Sequence, residues 1–153
     1  MKTANYNALI DSYRVITESA LRVEPRKGDV FSKEEFKTEK PYILFISFEG
    51  DIEGFFAIGI SEELTLKIVE QMTNGASIPK TIDAMTISCI TEYVSMIKGN
   101  LIKRFEETQI NCKIQRADFI LAEEIPKIED KVLTIVARSD IGDFELNMFL
   151  KEK

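Results

Sequence analysis

Apolar residues recur near helical spacing from Ala4 to Leu21 (Ala8, Leu9, Tyr13, Val15, Ile16, Ala20). No Gly or Pro interrupts them, and the pattern predicts a helix. Val23-Glu24-Pro25 ends it, because a proline drives the preceding residue out of the α region. Residues 26–40 are polar and read as loop mixed with a short strand around Val30 to Phe36. Tyr42 to Phe48 is rich in aromatic and β-branched side chains and predicts a strand. Glu49-Gly50-Asp51 is a turn into a second strand, Ile52 to Ile60, so the pair reads as a hairpin. Gly54 and Gly59 within it predict a bulge or close packing against a helix.

Ser61 then caps a helix with Glu62 and Glu63 in its first turn, Leu64, Ile68 and Met72 as its stripe, and Asn74-Gly75 as its stop. A long helix is expected from about Ile82 to Glu107, with Thr81 as cap. Strand signals follow over Ile110 to Ala117 and Phe119 to Ala122, and Pro126 falls in a loop. Lys131 to Arg138 and Phe144 to Lys151 form the clearest hairpin, joined around Asp140-Ile141-Gly142. Phe149 breaks the alternation of Phe144, Leu146, Met148 and Leu150, so this strand is covered on both faces or meets a partner. The order of elements lacks a repeated βαβ rhythm. It predicts an α+β fold with helices packed on a mostly antiparallel sheet, formed by residues 1–153 as one domain.

Around the long helix, Ser88, Glu92, Ser95 and Gly99 fall within an arc of about 60° at about 100° per residue. Ile87, Ile90, Val94, Ile97, Leu101 and Phe105 gather on the other side and are expected to enter the core. The polar stripe reads either as an ordinary solvated face or as a docking surface. Met85 and Met96 on one flank and Ile102 on the other favour docking, since apolar groups beside small side chains let another protein approach closely. Core or dimer packing are rivals, because methionine also fills irregular gaps.

Composition narrows the chemistry. The chain has 153 residues, a net charge of −6 and no long basic cluster, which argues against a nucleic-acid backbone as partner. It has no histidine, so histidine bases and histidine metal ligands are excluded, and its two cysteines alone make no structural zinc site. Cys89 and Cys112 are expected to be free thiols in a reducing compartment. No run approaches the ~20 apolar residues of a membrane helix and no apolar signal stretch opens the chain, so a cytoplasmic location without membrane association is expected.

The segment from Ser88 to Asn100, Ser-Cys-Ile-Thr-Glu-Tyr-Val-Ser-Met-Ile-Lys-Gly-Asn, resembles the signature helix of the CheC/CheX/FliY-type chemotaxis phosphatases. That signature runs S-x-x-x-E-x-x-N and continues M-I-x-G-N. Ile52-Glu53-Gly54, followed by a helix ending near Asn74-Gly75, is similar to a second family segment, and Asn7-Ala8-Leu9-Ile10 with Glu24-Pro25 to a third. One signature helix rather than two favours the CheX-like branch.

The resemblance implies a protein that removes the phosphoryl group from the aspartate of a CheY-type response regulator. Glu92 would pair with the regulator's active-site lysine. The side chain three residues on would orient the attacking water, and the Mg²⁺ would belong to the receiver domain rather than to this chain. Here that position is Ser95, where the family signature has asparagine; Ala117 stands near a position where the family often has proline. Glu92 and Ser95 are thus the candidate catalytic pair. Ser88, Glu92, Ser95, Met96 and Gly99 are the candidate partner-binding face, and the chain is expected to hold no cofactor or metal of its own. Asn100 lies off that stripe and is expected to be structural, through local backbone hydrogen bonds; Glu53 is assigned no chemistry. The resemblance also implies a homodimer paired through its sheets. The competing readings are a non-catalytic receiver-binding adaptor and a structural dimer module.

Overall fold

The computed structural model describes residues 2–125 and 127–152, so the loop expected at Pro126 lies outside the described residues. Its elements are α1 (Lys2–Leu21), β1 (Arg26–Lys33), β2 (Tyr42–Gly50), β3 (Ile52–Ile60), α2 (Glu62–Met72), α3 (Ala84–Glu107), β4 (Cys112–Leu121), β5 (Val132–Ser139) and β6 (Gly142–Glu152). The six strands form one sheet in the order β1-β5-β6-β3-β2-β4. Each neighbouring pair is antiparallel, as the α+β reading expects.

β2 shows why its sequence is apolar at nearly every position. Leu44, Ile46 and Phe48 point to the helices and join Phe56, Ile58, Leu146 and Met148 in the main core. Ile43 and Phe45 point to the other face, where they pack with Phe55, Ala57 and Val132. A strand buried on both sides has no polar side to display. Phe149 has the same cause: it lies on the rear face, 5.8 Å from the ring of Phe55. Among the described residues no α-helix covers that rear face. Two chain segments cross it instead, carrying Phe36 and Ile125 with Ile128, and they are tied together where Phe36 N donates to Ile128 O at 3.1 Å.

Several expected boundaries move. β1 starts at Arg26 and ends at Lys33, earlier than the strand expected around Val30 to Phe36, because Arg26 to Lys33 pairs along β5. The two strand signals after α3 are one continuous strand, β4. Asp83, not Thr81, caps α3: its carboxylate accepts from Thr86 N at 2.9 Å, while Thr81 offers its carbonyl to the Thr86 hydroxyl at 3.2 Å. The register of β2 on β3 carries no bulge at Gly54 or Gly59. A Cβ on Gly54 would run into the carbonyl of Phe149 on β6, and one on Gly59 would press on Lys40 and Thr38 of a rear segment. The close approach is therefore to strand and strap, not to a helix.

The rear strap is anchored by a polar cluster. Lys33 Nζ donates to Lys37 O at 2.5 Å, to Asn147 Oδ1 at 3.3 Å and to Glu145 Oε1 at 3.5 Å. The Thr134 hydroxyl donates to Asn147 Oδ1 at 2.8 Å, and Asn147 Nδ2 donates to Ala57 O at 3.2 Å. Thr134 and Asn147 are fully buried, so these bonds replace the water each group lost.

Candidate functional site

α3 is held in rotation by what its inner face touches. Ile90, Tyr93, Val94, Ile97, Leu101 and Phe105 are buried in the core. Tyr93 reaches α1, with its hydroxyl 2.6 Å from that of Thr17. The Thr17 proton goes to Tyr13 O at 2.6 Å, so Tyr93 is the donor to Thr17. Burial drives the Tyr93 phenol well above its ordinary pKa and keeps it a donor. Ile87 departs from the expected core face: it is 43% exposed.

With that rotation set, Ser88, Glu92 and Gly99 are exposed, and Ser95 and Met96 are half-buried. All five expected partner-binding residues therefore lie on the helix's accessible side. Among the described residues, the side chains of Ser88, Glu92 and Ser95 make no hydrogen bond or ion pair, and a Cβ placed on Gly99 would meet nothing within 4 Å. Thr91, one position away from Glu92, bonds back to Ile87 O at 2.7 Å. Ser95 makes no comparable bond, so its hydroxyl is available. Glu92 also acts on Cys89: burial first, and then this carboxylate's charge, raises the thiol's pKa. Cys89 and Cys112 are both free. Burial, then the charge of Asp51, pushes Cys112 up to about 11, so it is a neutral thiol near pH 7.

The outer face of α3 is a ridge, and two grooves flank its C-terminal half. One, of about 730 Å³, runs between α1 and α3 past Asp11, Asn100, Lys103 and Arg104. The other, of about 410 Å³, runs between α3 and the edge strand β4 past Lys98, Ile102 and Ile114. A larger cleft, about 1100 Å³, is elsewhere, on the rear of the sheet between Lys33, Phe36, Lys40 and Ile125. A ridge cannot enclose a small molecule, but it can enter a partner's cleft.

Asn100 bonds to a side chain, not to the backbone as expected. It accepts from Arg104 Nε at 2.7 Å, and Arg104 in turn lies 4.0 Å from Asp11 of α1. The i,i+4 spacing of Asn100 and Arg104 was a signal available in the sequence. The Thr17–Tyr93 bond had none, because those residues are far apart in the chain. Among the described residues no group of three or more Cys, Asp or Glu could hold a metal ion. No described helix is long and apolar enough to cross a membrane.

A family model described as chemotaxis phosphatase CheX matches residues 42–133, more than half of the chain and the whole of α3. The chain belongs to this family. A CheX-family relative, the CheY-P phosphatase CheX of Thermotoga maritima, is 29% identical over 100 residues, which cover 65% of this chain and 64% of that protein. The match thus spans less than two thirds of that relative's length. Two solved structures share the fold across nearly all of both chains. A CheC-like superfamily protein from Shewanella sp. PV-4 has a TM-score of 0.84 at 17% identity, covering 99% of each chain. CheX in a CheX–CheY–BeF3–Mg²⁺ complex from Borrelia burgdorferi has a TM-score of 0.77 at 18% identity, covering 96% of this chain and 97% of that one. At these identities the likeness is one of fold. The CheX-family match adds a role in chemotaxis signalling.

Proposed function

We propose that this chain docks the outer face of α3 onto the receiver domain of a phosphorylated CheY-type response regulator. The carrying observation is Glu92, an exposed carboxylate with no partner among the described residues, on the family's signature helix. A carboxylate without an internal partner is free to meet a lysine on another protein, and pairing there costs no bond already made. Support for the partner comes from the relative named a CheY-P phosphatase and from the related CheX found in complex with CheY.

Ser95 stands one helical turn beyond Glu92, so both side chains reach one site. In the reaction the resemblance implies, a water oxygen attacks phosphorus and the bond from phosphorus to the aspartyl oxygen breaks. Inorganic phosphate and a free carboxylate result. The Mg²⁺ of that reaction belongs to the receiver. Acyl phosphates are already reactive, so positioning the water supplies much of the rate. A serine hydroxyl is shorter than an asparagine amide and cannot donate and accept through two separate atoms. Ser95 therefore orients the water loosely, and the chain is a receiver binder with weak phosphatase action. The same residue favours the second reading, an adaptor that binds without hydrolysis.

Phosphate release from phosphorylated receivers decides between them. Wild-type chain is expected to release phosphate only modestly above receiver self-hydrolysis. Ser95→Asn is expected to raise that rate by roughly a hundredfold, the factor attached to an ångström of misplacement. Glu92→Ala is expected to abolish binding and release together. Ser95→Asn leaving release unchanged would remove the docking face from consideration.

Self-association is a separate proposal. β1 and β4 are the two edges of the sheet, and an open edge can pair with a second copy. Each has a register irregularity, at Lys27/Val30 and opposite Ser47/Phe48, which restricts pairing to part of its length. Sedimentation over a range of concentrations reads the oligomeric state directly.

A further inference from the structure

Most of what holds α3 down is apolar. Ile90, Val94, Ile97 and Leu101 on its inner face are fully buried. Apolar contact is non-directional, so it presses a helix onto the core with little preference for one roll about its axis. A hydrogen bond does have a direction, because it weakens steeply when bent. On this face the direction comes from Tyr93, which donates to the Thr17 hydroxyl of α1 at 2.6 Å. Thr17 is itself pinned, since its own proton goes to Tyr13 O at 2.6 Å. A second polar tie to α1, Arg104 to Asp11, is 4.0 Å long and partly exposed, and it acts about three turns further along α3. Tyr13 is a matched contrast to Tyr93. It is 1% exposed, its ring meets Phe144 edge-on at 5.2 Å, and its hydroxyl makes no hydrogen bond among the described residues.

Tyr93 lies in the chain between Glu92 and Ser95, on the turn that carries both. Side-chain tips stand about 5–6 Å from a helix axis, so a roll of about 10° moves them by about 1 Å. An ion pair feels such a shift weakly, because its energy falls slowly with distance. A step that needs a water held in line feels it by about a hundredfold. We infer that the Tyr93 hydroxyl is a positioning group, which through Thr17 sets the roll of α3 and so the placement of the residue-95 side chain against the receiver's acyl phosphate; this rests on the reading of α3 given above. The hydroxyl touches neither receiver nor water and acts only through the helix it holds. Glu92 therefore governs affinity, and the Tyr93–Thr17 bond governs turnover.

The test measures phosphate release from phosphorylated CheY-type receivers by the full chain carrying Ser95→Asn, where release is high enough for a fall to be read. Tyr93→Phe, Tyr13→Phe and Val132→Ala are each added to it, and melting curves verify that each variant folds. Tyr93→Phe keeps the ring and leaves the Thr17 proton on Tyr13 O, so no buried donor is stranded. It is expected to lower release at saturating receiver by about tenfold or more, with the half-saturating concentration within about threefold of its parent. Tyr13→Phe removes the same atom from an equally buried ring but breaks no bond, and is expected to change neither quantity. Val132→Ala, in the core cluster behind the sheet, lowers the melting temperature without touching α3 and is expected to leave release as it was. In the free protein, Tyr93→Phe is expected to shift amide resonances along the whole ridge from Ser88 to Gly99. If Tyr93→Phe releases phosphate as its parent does, or Val132→Ala loses as much, or the shifts stay within the turn around Tyr93, the positioning role is overturned and the receiver reading survives. If Ser95→Asn alone releases no phosphate above receiver self-hydrolysis, both are overturned.

Discussion

Glu92 on α3 and Glu145 on β6 are the same side chain in two opposite situations. On the rear of the sheet, Glu145 is only 15% exposed in its side chain and accepts from Lys33 at 3.5 Å and from Asn147 at 3.0 Å. Lys33 and Asn147 are themselves fully engaged, with the strap carbonyl of Lys37 and with Thr134. On the front ridge, Glu92 has neither cation nor amide within reach among the described residues. The rear network spends its polar groups on holding the chain together. The ridge leaves its polar groups for something else. The difference separates polar groups that hold the fold from polar groups left for a partner. Lys33 and Glu145 in the rear cleft are already satisfied, whereas Glu92 on the ridge has no partner among the described residues.

Substitution can break the contrast. Asn147→Ala strips Thr134, the Ala57 carbonyl and Lys33 of a shared partner in a fully buried setting. It is expected to destabilise the fold by about 1–3 kcal/mol, read as a shifted denaturant midpoint. Glu92→Ala in the same assay is expected to stay within about 0.5 kcal/mol of wild type. Equal losses at the two positions would erase the distinction.

Gly99→Ala sharpens it further. Nothing lies within 4 Å of the added methyl, and alanine is favoured over glycine inside a helix. The chain is therefore expected to gain about 0.5–1 kcal/mol in stability while its receiver affinity falls. A variant that is more stable yet binds less well separates what the fold needs from what the partner needs.

The smallest effect is one of pH. Backbone and then side-chain hydrogen bonds from Thr86 hold the carboxyl of Asp83 below its ordinary value. A depressed folded pKa gives stability that is present above the unfolded carboxylate pKa and lost as pH falls through the folded one. Melting temperature is expected to fall slightly through that acid window. Asp83→Asn, which still caps α3 but does not titrate there, is expected to flatten that part of the curve.

Much of the architecture could be read from local pattern. β3 was expected over Ile52 to Ile60 and forms over those residues, with a Gly50 turn before it and a Ser61 cap after it. The hairpin of β5 and β6 was equally clear. The limits of β1 were not, because Arg26 to Lys33 has no apolar alternation and becomes a strand only by pairing with β5. Asp83 and Thr81 are both competent caps, and only the helix start chose between them. The polar stripe of α3 was legible as a stripe. That Ile87 would be exposed was not, since periodicity assigns it a side of the helix but not what packs against that side.

The order of residues alone determined most of the elements, the polar stripe of α3, the family resemblance and the departure at Ser95, because each is written in spacing a few residues long. Tertiary structure alone decided which carboxylates are already satisfied. Glu145 meets Lys33 across 112 positions of chain, and Tyr93 meets Thr17 across 76. Such meetings follow from how strands pair and helices stack, so whether Glu92 is left free could be read only once everything else had found its partner.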